Sequence, residues 1–521
     1  MFGPLPAVLK RHFVKVGAAT ALAAALYKFN SYAAVDHVEG QHYGMAMLQT
    51  AYWIVREQCG LVDQQSIPFK EEDITVATIQ HCLRKGGKVP LDVKVQRISI
   101  RRLSSHSFET RAQTYCVNIF YAKGGSGPSQ VFVKLFPQNF SSRLRARMRG
   151  WSFTEANFYA SKIASSCSLL TANVYFCGYI PGRQSFCLVL EMLGHLPHGS
   201  PNEVRGIPMP NSIAAVRSLA RLHAQYFNGV QAKGPRWGGR VYHSTRFQAN
   251  LKVAQLNVDR FLGLLKDFEK DGFMPFGTMT TDIVNFYRRA VKAYLCHATA
   301  RQTPKELGGE HNMVLNHGDF RGGNMLLQGE SKVIVCDFQR IHENSPGVDI
   351  AVFLCSNITD PESQLVKTRE ILSAYYDELM ARGVDSVDYP WHRMLAEVSL
   401  GFTFEALFQI LCLENMPNLT QEADGNGDVA NWAVARDPLT ATNNTERTST
   451  EHDLTFEAEN IICLFTARVR RTVALVRAWN TSKFMELAME TGSSFPKAEL
   501  YVRWLPEEML EDGFHPASLS F

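Results

Sequence analysis

The chain has 521 residues, of which 45% are hydrophobic and 20% are charged, and its formal net charge at pH 7 is +4. This composition is ordinary for folded protein, and the length is enough for two or three packed units. The small net charge excludes a bulk attraction to nucleic acid or to an anionic surface, so any basic site must be local. The 11 cysteines stand singly without a C-x-x-C pair, which favours a reducing compartment over a disulfide framework or a zinc site.

The first forty residues form a basic and apolar segment. Basic residues flank an alanine-rich run from Val16 to Tyr27, and no acidic residue precedes Asp36. The run is short for a bilayer core of about 30 Å. It fits a signal segment, a mitochondrial presequence or a terminal helix lying on the protein. We expect a cytoplasmic protein. The alternative is a mitochondrial or membrane-tethered protein, with residues 1–40 as the signal or the tether.

The next part of the chain has the pattern of an antiparallel meander. Residues 93–103, 114–122 and 130–136 are alternating or β-branched segments, and the turn cluster KGGSGPS separates the last two. A helical pattern at 141–164 follows, and two further strands are expected at 173–180 and 185–193. We therefore predict a β-rich N-lobe at residues 41–194.

After Gly194 most of the chain repeats apolar residues three or four positions apart, which predicts a helical C-lobe at residues 195–521. The predicted helices lie at 212–227, 252–268, 282–298, 367–383, 392–413 and 459–479. Residues 421–453 are polar and rich in Gly, Asn and Thr, and we expect a surface insertion without chemistry there.

The stretch LNHGDFRGGNMLL, residues 315–327, packs polar side chains between apolar ones. A short apolar lead-in and a tight polar turn place Asp319 and Asn324 on a loop. The segment NMLLQGESKVIVCDF that follows is typical of a hairpin, which returns Asp337 toward Asn324. We expect these two carboxylates and one amide oxygen to share one place.

Oxygen ligands of this kind suit Mg²⁺, which keeps several waters and takes one or two carboxylates plus substrate phosphates. With Asn324 and Asp337 on the metal, Asp319 remains to accept the proton of an attacking hydroxyl, as in phosphoryl transfer. That chemistry needs a lysine for the phosphates and an acid to hold it, and Lys134 and Glu155 meet this need. The alternatives are an exposed edge-strand lysine and a glutamate that compensates a helix dipole.

These motifs, with LVLEML, SLARLHAQYF and PGVDIAVFL, resemble the protein-kinase-like small-molecule phosphotransferases, the aminoglycoside and choline kinase group. Within that group the chain is most similar to the ecdysteroid-kinase-like branch, over roughly residues 90–415. The resemblance implies an α+β, bilobal protein-kinase-like fold with an antiparallel β-rich N-lobe and a mainly helical C-lobe. It also implies an enzyme that moves the γ-phosphoryl group of ATP to a hydroxyl of a small molecule, with ATP and Mg²⁺ as cofactors.

The resemblance assigns a role to each candidate residue. Asp319 is the expected catalytic base, and Asn324 and Asp337 are the expected Mg²⁺ ligands. Lys134 is expected on the α- and β-phosphates with Glu155 as its ion-pair partner. The remaining roles are adenine binding by backbone groups of Glu191, Met192 and Leu193, and bracing of the catalytic loop by Asp349.

One departure from the family pattern concerns the loop expected to cover the nucleotide phosphates. The sequence LSSHSFETRAQ contains no glycine, so backbone amides and serine hydroxyls, Ser105 among them, remain to contact phosphate. The alternative to an active kinase is therefore a catalytically silent nucleotide-binding or scaffold protein.

The acceptor side is less defined by the sequence. Arg321 stands where many relatives carry a tryptophan or a histidine, and it meets either substrate or phosphate, or points at solvent. We expect a small hydroxyl acceptor, with an apolar, sterol-like alcohol as the favoured class, because the helical lobe shows no strongly acidic lining. Nucleic acid is not an expected partner, since the basic stretch at 143–149 lacks aromatic interleaving.

Overall fold

The computed structural model describes part of the chain, and all structural statements concern that part: residues 50–54, 68, 70–103, 112–136, 143, 151–161, 169–180, 185–194, 206–227, 245–270, 277–299, 312–358, 365–412, 452–481, 505, 506 and 509. The chain divides into two compact units. The first comprises Met1–Ser165 and Ala172–Leu193, and the second comprises Ser166–Thr171 and Gly194–Phe521. The short piece Ser166–Thr171 joins the second unit, where the carbonyl of Leu170 accepts the backbone N–H of Val335 at 2.8 Å.

The first unit is built on an antiparallel sheet, as the meander pattern predicts. Its strands are β1 (Val95–Leu103), β2 (Gln113–Tyr121), β3 (Gln130–Leu135), β4 (Val174–Ile180) and β5 (Ser185–Glu191). They lie in the order β1-β2-β3-β5-β4. Side chains alternate between the two faces of a strand, so Val131, Val133 and Leu135 enter the core while Lys134 faces the other way.

A helix that the sequence analysis did not predict covers one face of this sheet. Helix α1 (Val76–Lys85) begins after Thr75, whose side-chain oxygen accepts the backbone N–H of Thr78 at 3.2 Å. Its Ile79, Cys82 and Leu83 join the buried core of the sheet. Helix α2 (Trp151–Ala160) lies against β4 and β5.

The second unit is mainly helical, as expected. Its helices are α3 (Met209–Gln225), α4 (Thr245–Lys270), α5 (Thr281–Thr299), α6 (Pro346–Asn357), α7 (Leu365–Ala381), α8 (Trp391–Cys412) and α9 (His452–Ala478). Helix α8 packs against α4, α5, α6 and α9. It is long and apolar enough to cross a membrane, but 83% of its most apolar stretch is buried inside the protein, so core packing accounts for its composition.

Two short antiparallel strand pairs lie among these helices. Strand β6 (Val314–Asn316) pairs with β9 (His342–Asn344), and β7 (Met325–Gln328) pairs with β8 (Lys332–Val335). The second pair is the predicted hairpin. The end of β8 thereby lies beside the loop between β6 and β7, where the backbone N–H of Cys336 donates to the carbonyl of Asn324 at 3.0 Å.

Some expectations fall outside the described residues. These are the basic segment 1–40, the phosphate-loop serine Ser105 and most of the polar insertion. The predicted insertion was too long at its C-terminal end, because α9 begins at His452 and takes its last two residues.

Candidate functional site

In the first unit, Lys134 and Glu155 form a buried ion pair. The Nζ atom of Lys134 lies 2.9 Å from Oε1 and 2.8 Å from Oε2 of Glu155. The two side chains are only 10% and 3% exposed. Strand β3 supplies the lysine, which is therefore not an exposed edge-strand residue. Helix α2 supplies the glutamate, which pairs with that lysine and does more than compensate a helix dipole. An ion pair removed from water in this way costs desolvation energy and is weak evidence for stability alone.

The end of β5 holds the residues expected to bind adenine. The backbone N–H of Glu191 donates to the carbonyl of Asn173 at 2.8 Å, and its Oε2 accepts the side-chain amide of Asn173 at 2.6 Å. Glu191 is thus engaged within its own unit. The backbone N–H groups of Met192 and Leu193 make no hydrogen bond to another described residue, so they are the available donors.

In the second unit, a tight turn precedes Asp319. Gly318 has φ of +81°, a conformation that side chains disfavour, and a Cβ atom there would lie 2.8 Å from Nδ1 of His342. Asp349, near the start of α6, accepts the backbone N–H groups of His317 at 2.6 Å and of Gly318 at 2.8 Å. A buried carboxylate therefore fixes the two residues before Asp319.

The carboxylate of Asp319 is held from two sides. The side-chain amide of Asn324 donates to Oδ2 at 2.9 Å, and Nε of Arg321 donates to Oδ1 at 3.1 Å. A nitrogen of Arg340 lies 3.9 Å from the same Oδ1. Burial raises the pKa of Asp319, but the guanidinium groups of Arg321, Arg340 and Arg468 outweigh it and hold the pKa below its usual range.

His317 links this loop to the end of β8. Its Nδ1 accepts the backbone N–H of Asp319 at 3.3 Å, and its Nε2 donates to the carbonyl of Cys336 at 3.0 Å. The ring therefore joins Asp319 to the residue before Asp337. These contacts brace the loop that carries Asp319.

Asp337 follows β8 in the left-handed conformation, with φ of 67° and ψ of 63°. Cys336 beside it donates its backbone N–H to the carbonyl of Asn324 at 3.0 Å, and Gln339 donates to Oδ2 of Asp337 at 3.2 Å. Both side-chain bonds that Asn324 makes to described residues are donated by Nδ2, so within that part of the chain its Oδ1 oxygen is available for a ligand.

These oxygen donors fit a hard divalent cation. Among the described residues, no group of three or more His, Cys, Asp or Glu side chains could hold a metal ion. A pair made of one amide oxygen and one carboxylate is nevertheless what Mg²⁺ takes from protein when waters and substrate phosphates complete its shell.

Sequence reasoning missed His223, which stands behind Asp349. Its Nδ1 lies 2.8 Å from the hydroxyl of Tyr375, and its Nε2 lies 3.5 Å from Oδ2 of Asp349. Burial lowers the pKa of His223, against the opposing effect of Asp349. His223 stands within the motif SLARLHAQYF, but a histidine on the inner face of a helical repeat is equally typical of an ordinary core residue, so the sequence alone assigned it no role.

The antiparallel β-rich unit and the mainly helical unit with this loop define a protein-kinase-like α+β fold, the class of the small-molecule kinases. A family model described as the ecdysteroid kinase-like family matches residues 113–387. The chain belongs to the ecdysteroid kinase-like family.

Similar solved structures include an aminoglycoside phosphotransferase from Alicyclobacillus acidocaldarius, 12% identical, covering 82% of this chain and 99% of that chain with a TM-score of 0.37. A choline/ethanolamine kinase family protein from Mesorhizobium loti is 13% identical, covering 71% of this chain and 92% of that chain with a TM-score of 0.31. Choline kinase LicA from Streptococcus pneumoniae is 11% identical, with coverage of 68% and 96% and a TM-score of 0.34. A search of curated protein sequences gave no match.

Proposed function

We propose that the protein is an ATP-dependent phosphotransferase that moves the γ-phosphoryl group to a hydroxyl of a small molecule. The observation that carries this proposal is the arrangement at Asp319. A buried carboxylate is held by the amide of Asn324, while hydrogen bonds from Cys336 and His317 bring the end of β8, and with it Asp337, to the same loop. This supports a base beside a metal site, as phosphoryl transfer requires.

In the proposed reaction Asp319 orients the acceptor hydroxyl and takes its proton. The bond from the acceptor oxygen to phosphorus forms as the bond from phosphorus to the bridging oxygen breaks, and ADP leaves with that electron pair. Asn324 and Asp337 would hold Mg²⁺, which supplies charge neutralisation on the phosphates. The nearby arginines keep Asp319 ionised before the reaction, and the same lowered pKa makes it a weak base, so in the proposed reaction it takes the proton only late in bond formation.

The first unit would bind the nucleotide. Lys134 would contact the α- and β-phosphates, and Glu155 would keep its ammonium group in place. The backbone N–H groups of Met192 and Leu193, which bond to no other described residue, would bind the adenine ring. For the acceptor, an apolar, sterol-like alcohol remains the proposed class, based on the family resemblance.

The test is calorimetric titration of the full chain with ATP, with and without Mg²⁺. We expect Mg²⁺-dependent binding that Asp337→Ala abolishes and that the control Asp385→Ala, an exposed aspartate on another loop, keeps within about twofold. Equal Mg²⁺-dependent ATP binding by wild type and Asp337→Ala would show that Asp337 does not hold the metal.

One observation favours the alternative, a catalytically silent nucleotide-binding or scaffold protein. Arg321 occupies Oδ1 of Asp319, the oxygen that would otherwise be open to an acceptor. A screen for ADP release with hydroxylated metabolites decides between the two, with Asp319→Ala beside the wild type. General-base catalysis is worth about 10² to 10⁴ in rate, so a true substrate must show that loss.

A further inference from the structure

Three arginines lie near Asp319, and together we call them the arginine cluster: Arg321, Arg340 and Arg468. Arg321 and Arg340 approach Oδ1 of Asp319 at 3.1 and 3.9 Å. Their side chains are 16% and 15% exposed, so both still reach solvent. Arg468 comes from α9, more than a hundred residues further along the chain, and its side chain is 12% exposed.

One aromatic ring, that of Phe408, contacts two of the three arginines. The guanidinium carbon of Arg340 lies 4.1 Å from the ring centre of Phe408, and that of Arg468 lies 5.1 Å from it. Cation–π contacts of this kind fix the planes of guanidinium groups. Two of the three arginines are therefore held in place before any ligand arrives.

Buried partners fix Arg468 further. It forms a two-pronged ion pair with the carboxylate of Glu405, with its NH2 nitrogen 2.7 Å from Oε2. Glu405 in turn accepts the side-chain amide of Gln409 at 3.0 Å. A preorganised guanidinium binds a planar or tetrahedral anion with little further loss of conformational entropy.

Like charges held this close repel one another. Burial lowers the pKa of Arg468 and so does the positive charge of Arg321, but the negative charges of Glu405 and Asp319 outweigh both and raise it above its usual range. A second anion bound at the cluster would relieve that repulsion. Guanidinium groups are the side chains best suited to binding carboxylate, sulfate and phosphate groups.

The position of the cluster indicates which bound molecule would supply the anion, the nucleotide or the acceptor. Asn324, the expected metal ligand, bonds to Oδ2 of Asp319, whereas Arg321 and Arg340 approach Oδ1. If Asn324 holds the metal, the metal and the transferred phosphoryl group would lie on the Oδ2 side. The Oδ1 side is where the remainder of the acceptor molecule would lie.

We propose that the acceptor carries an anionic group, a carboxylate, sulfate or phosphate, near the hydroxyl that is phosphorylated, and that the arginine cluster binds this anion. The proposal rests on the proposed function and adds an anionic group to the apolar alcohol proposed there as the acceptor. An apolar body remains compatible with it, so the acceptor would be an amphipathic acid.

The test uses inorganic sulfate as the probe. Sulfate is titrated into the full chain by calorimetry at low ionic strength, alone and with saturating Mg²⁺ and the non-hydrolysable analogue AMP-PNP. The variants are Arg340→Gln and Arg321→Gln, which remove charge and keep a polar side chain. The control is Arg288→Gln, since Arg288 forms an exposed ion pair with Asp259 elsewhere in the same unit.

We expect wild type and Arg288→Gln to bind sulfate with affinities within about twofold, with AMP-PNP present or absent. Each cluster variant should bind at least about tenfold more weakly, the size of one lost charge-assisted hydrogen bond. Having two cluster variants keeps the test decisive if one fails to fold. Unchanged binding in a folded cluster variant overturns the proposal, and so does absence of sulfate binding by wild type.

Competition between sulfate and AMP-PNP also overturns the proposal, because it assigns the cluster to the nucleotide phosphates. The same titrations test the proposed function separately. If AMP-PNP shows no Mg²⁺-dependent binding while sulfate still binds, the proposed function fails. If AMP-PNP binds and sulfate does not, only the anion site fails.

Discussion

The carboxylate of Asp349 accepts the backbone N–H of His317 at 2.6 Å, although 31 residues separate the two in the chain. Its other oxygen accepts the N–H of Gly318 at 2.8 Å, and Asp349 is fully buried. Helix α6 thus sets the position of the loop that carries Asp319. Asp349 contacts no reacting group itself and acts as a positioning residue.

Asp349→Asn should lower the free energy of unfolding by about 1–3 kcal/mol, because the new amide would place a donor against one of two buried backbone donors. Urea unfolding measures the change. The control is Asp385→Asn, since Asp385 also accepts a backbone N–H, from Val387 at 2.8 Å, but is exposed. An effect of Asp349→Asn no larger than that of the control would contradict the bracing role.

The buried pair of Lys134 and Glu155 allows stability and ligand binding to be separated. Glu155→Leu should cost about 3–5 kcal/mol in urea unfolding, because it removes the carboxylate that pairs with the buried ammonium group of Lys134. The double variant Lys134→Met, Glu155→Leu should recover most of that loss, since an apolar pair of similar volume is often as stable.

The double variant should nevertheless bind Mg²⁺–ATP at least about tenfold more weakly than wild type, measured by calorimetry, because the phosphate-binding charge is gone. The exposed pair of Arg288 and Asp259 is the control, and breaking it should cost less than about 1 kcal/mol. Wild-type ATP affinity in the double variant would show that Lys134 does not contact the nucleotide.

Local patterns predicted most of the regular structure. Alternation of apolar residues predicted β1 to β5, and the Gly-containing turn between two apolar runs predicted the β7–β8 pair, because both signals lie within a few neighbouring residues. Helix α1 was missed. Its apolar residues Ile79, Cys82 and Leu83 have helical spacing, but polar residues surround them, and the capping Thr75 lacks the glutamate that marks a typical helix start.

The site was predictable only where its residues fall within one motif. Asp319, Asn324 and Asp337 stand within twenty residues of one another, so their type and order carried the signal. The contact of Arg340 and Arg468 with Phe408 joins three distant parts of the chain, and no spacing rule indicates which helix faces cross. The same holds for His223, Tyr375 and Asp349.

Alanine substitution of two helical glycines should change the free energy of unfolding in opposite directions. A Cβ atom on Gly401 of α8 would lie 2.6 Å from Cβ of Ala351 and would also overlap the carbonyl oxygen of Gly347, so α6 would have to move. Gly401→Ala should therefore cost about 1–3 kcal/mol. A Cβ atom on Gly263 of α4 would meet no atom within 4 Å, so Gly263→Ala should stabilise by about 0.5–1 kcal/mol.

Urea unfolding of the two glycine variants measures both effects in the same unit. The close approach of α6 and α8 also positions Asp349, so Gly401→Ala should weaken the site as well as the fold. A neutral or stabilising Gly401→Ala would mean that the two helices separate at little cost.

Glu397 of α8 makes the stability of the second unit depend on pH. The side chain is fully buried, and its Oε2 accepts the hydroxyls of Ser345 at 2.8 Å and Tyr389 at 3.0 Å. Burial raises the pKa of Glu397 to about 7, against the opposing effects of Arg393 and these hydroxyls. Since the folded state then binds its proton more tightly than the unfolded state, stability falls as pH rises toward 7.

Glu397→Gln keeps an oxygen acceptor and removes the titration. Its free energy of unfolding, compared with that of wild type, should therefore rise between about pH 5 and pH 8, by up to roughly 3 kcal/mol at about 1.4 kcal/mol per pH unit. Glu378→Gln is the control. Hydrogen bonding to Arg221 lowers the pKa of Glu378, so its contribution is lost only at more acid pH and the difference from wild type stays constant over this range. A constant difference for Glu397→Gln as well would mean that this carboxyl is already ionised in the folded protein at pH 5.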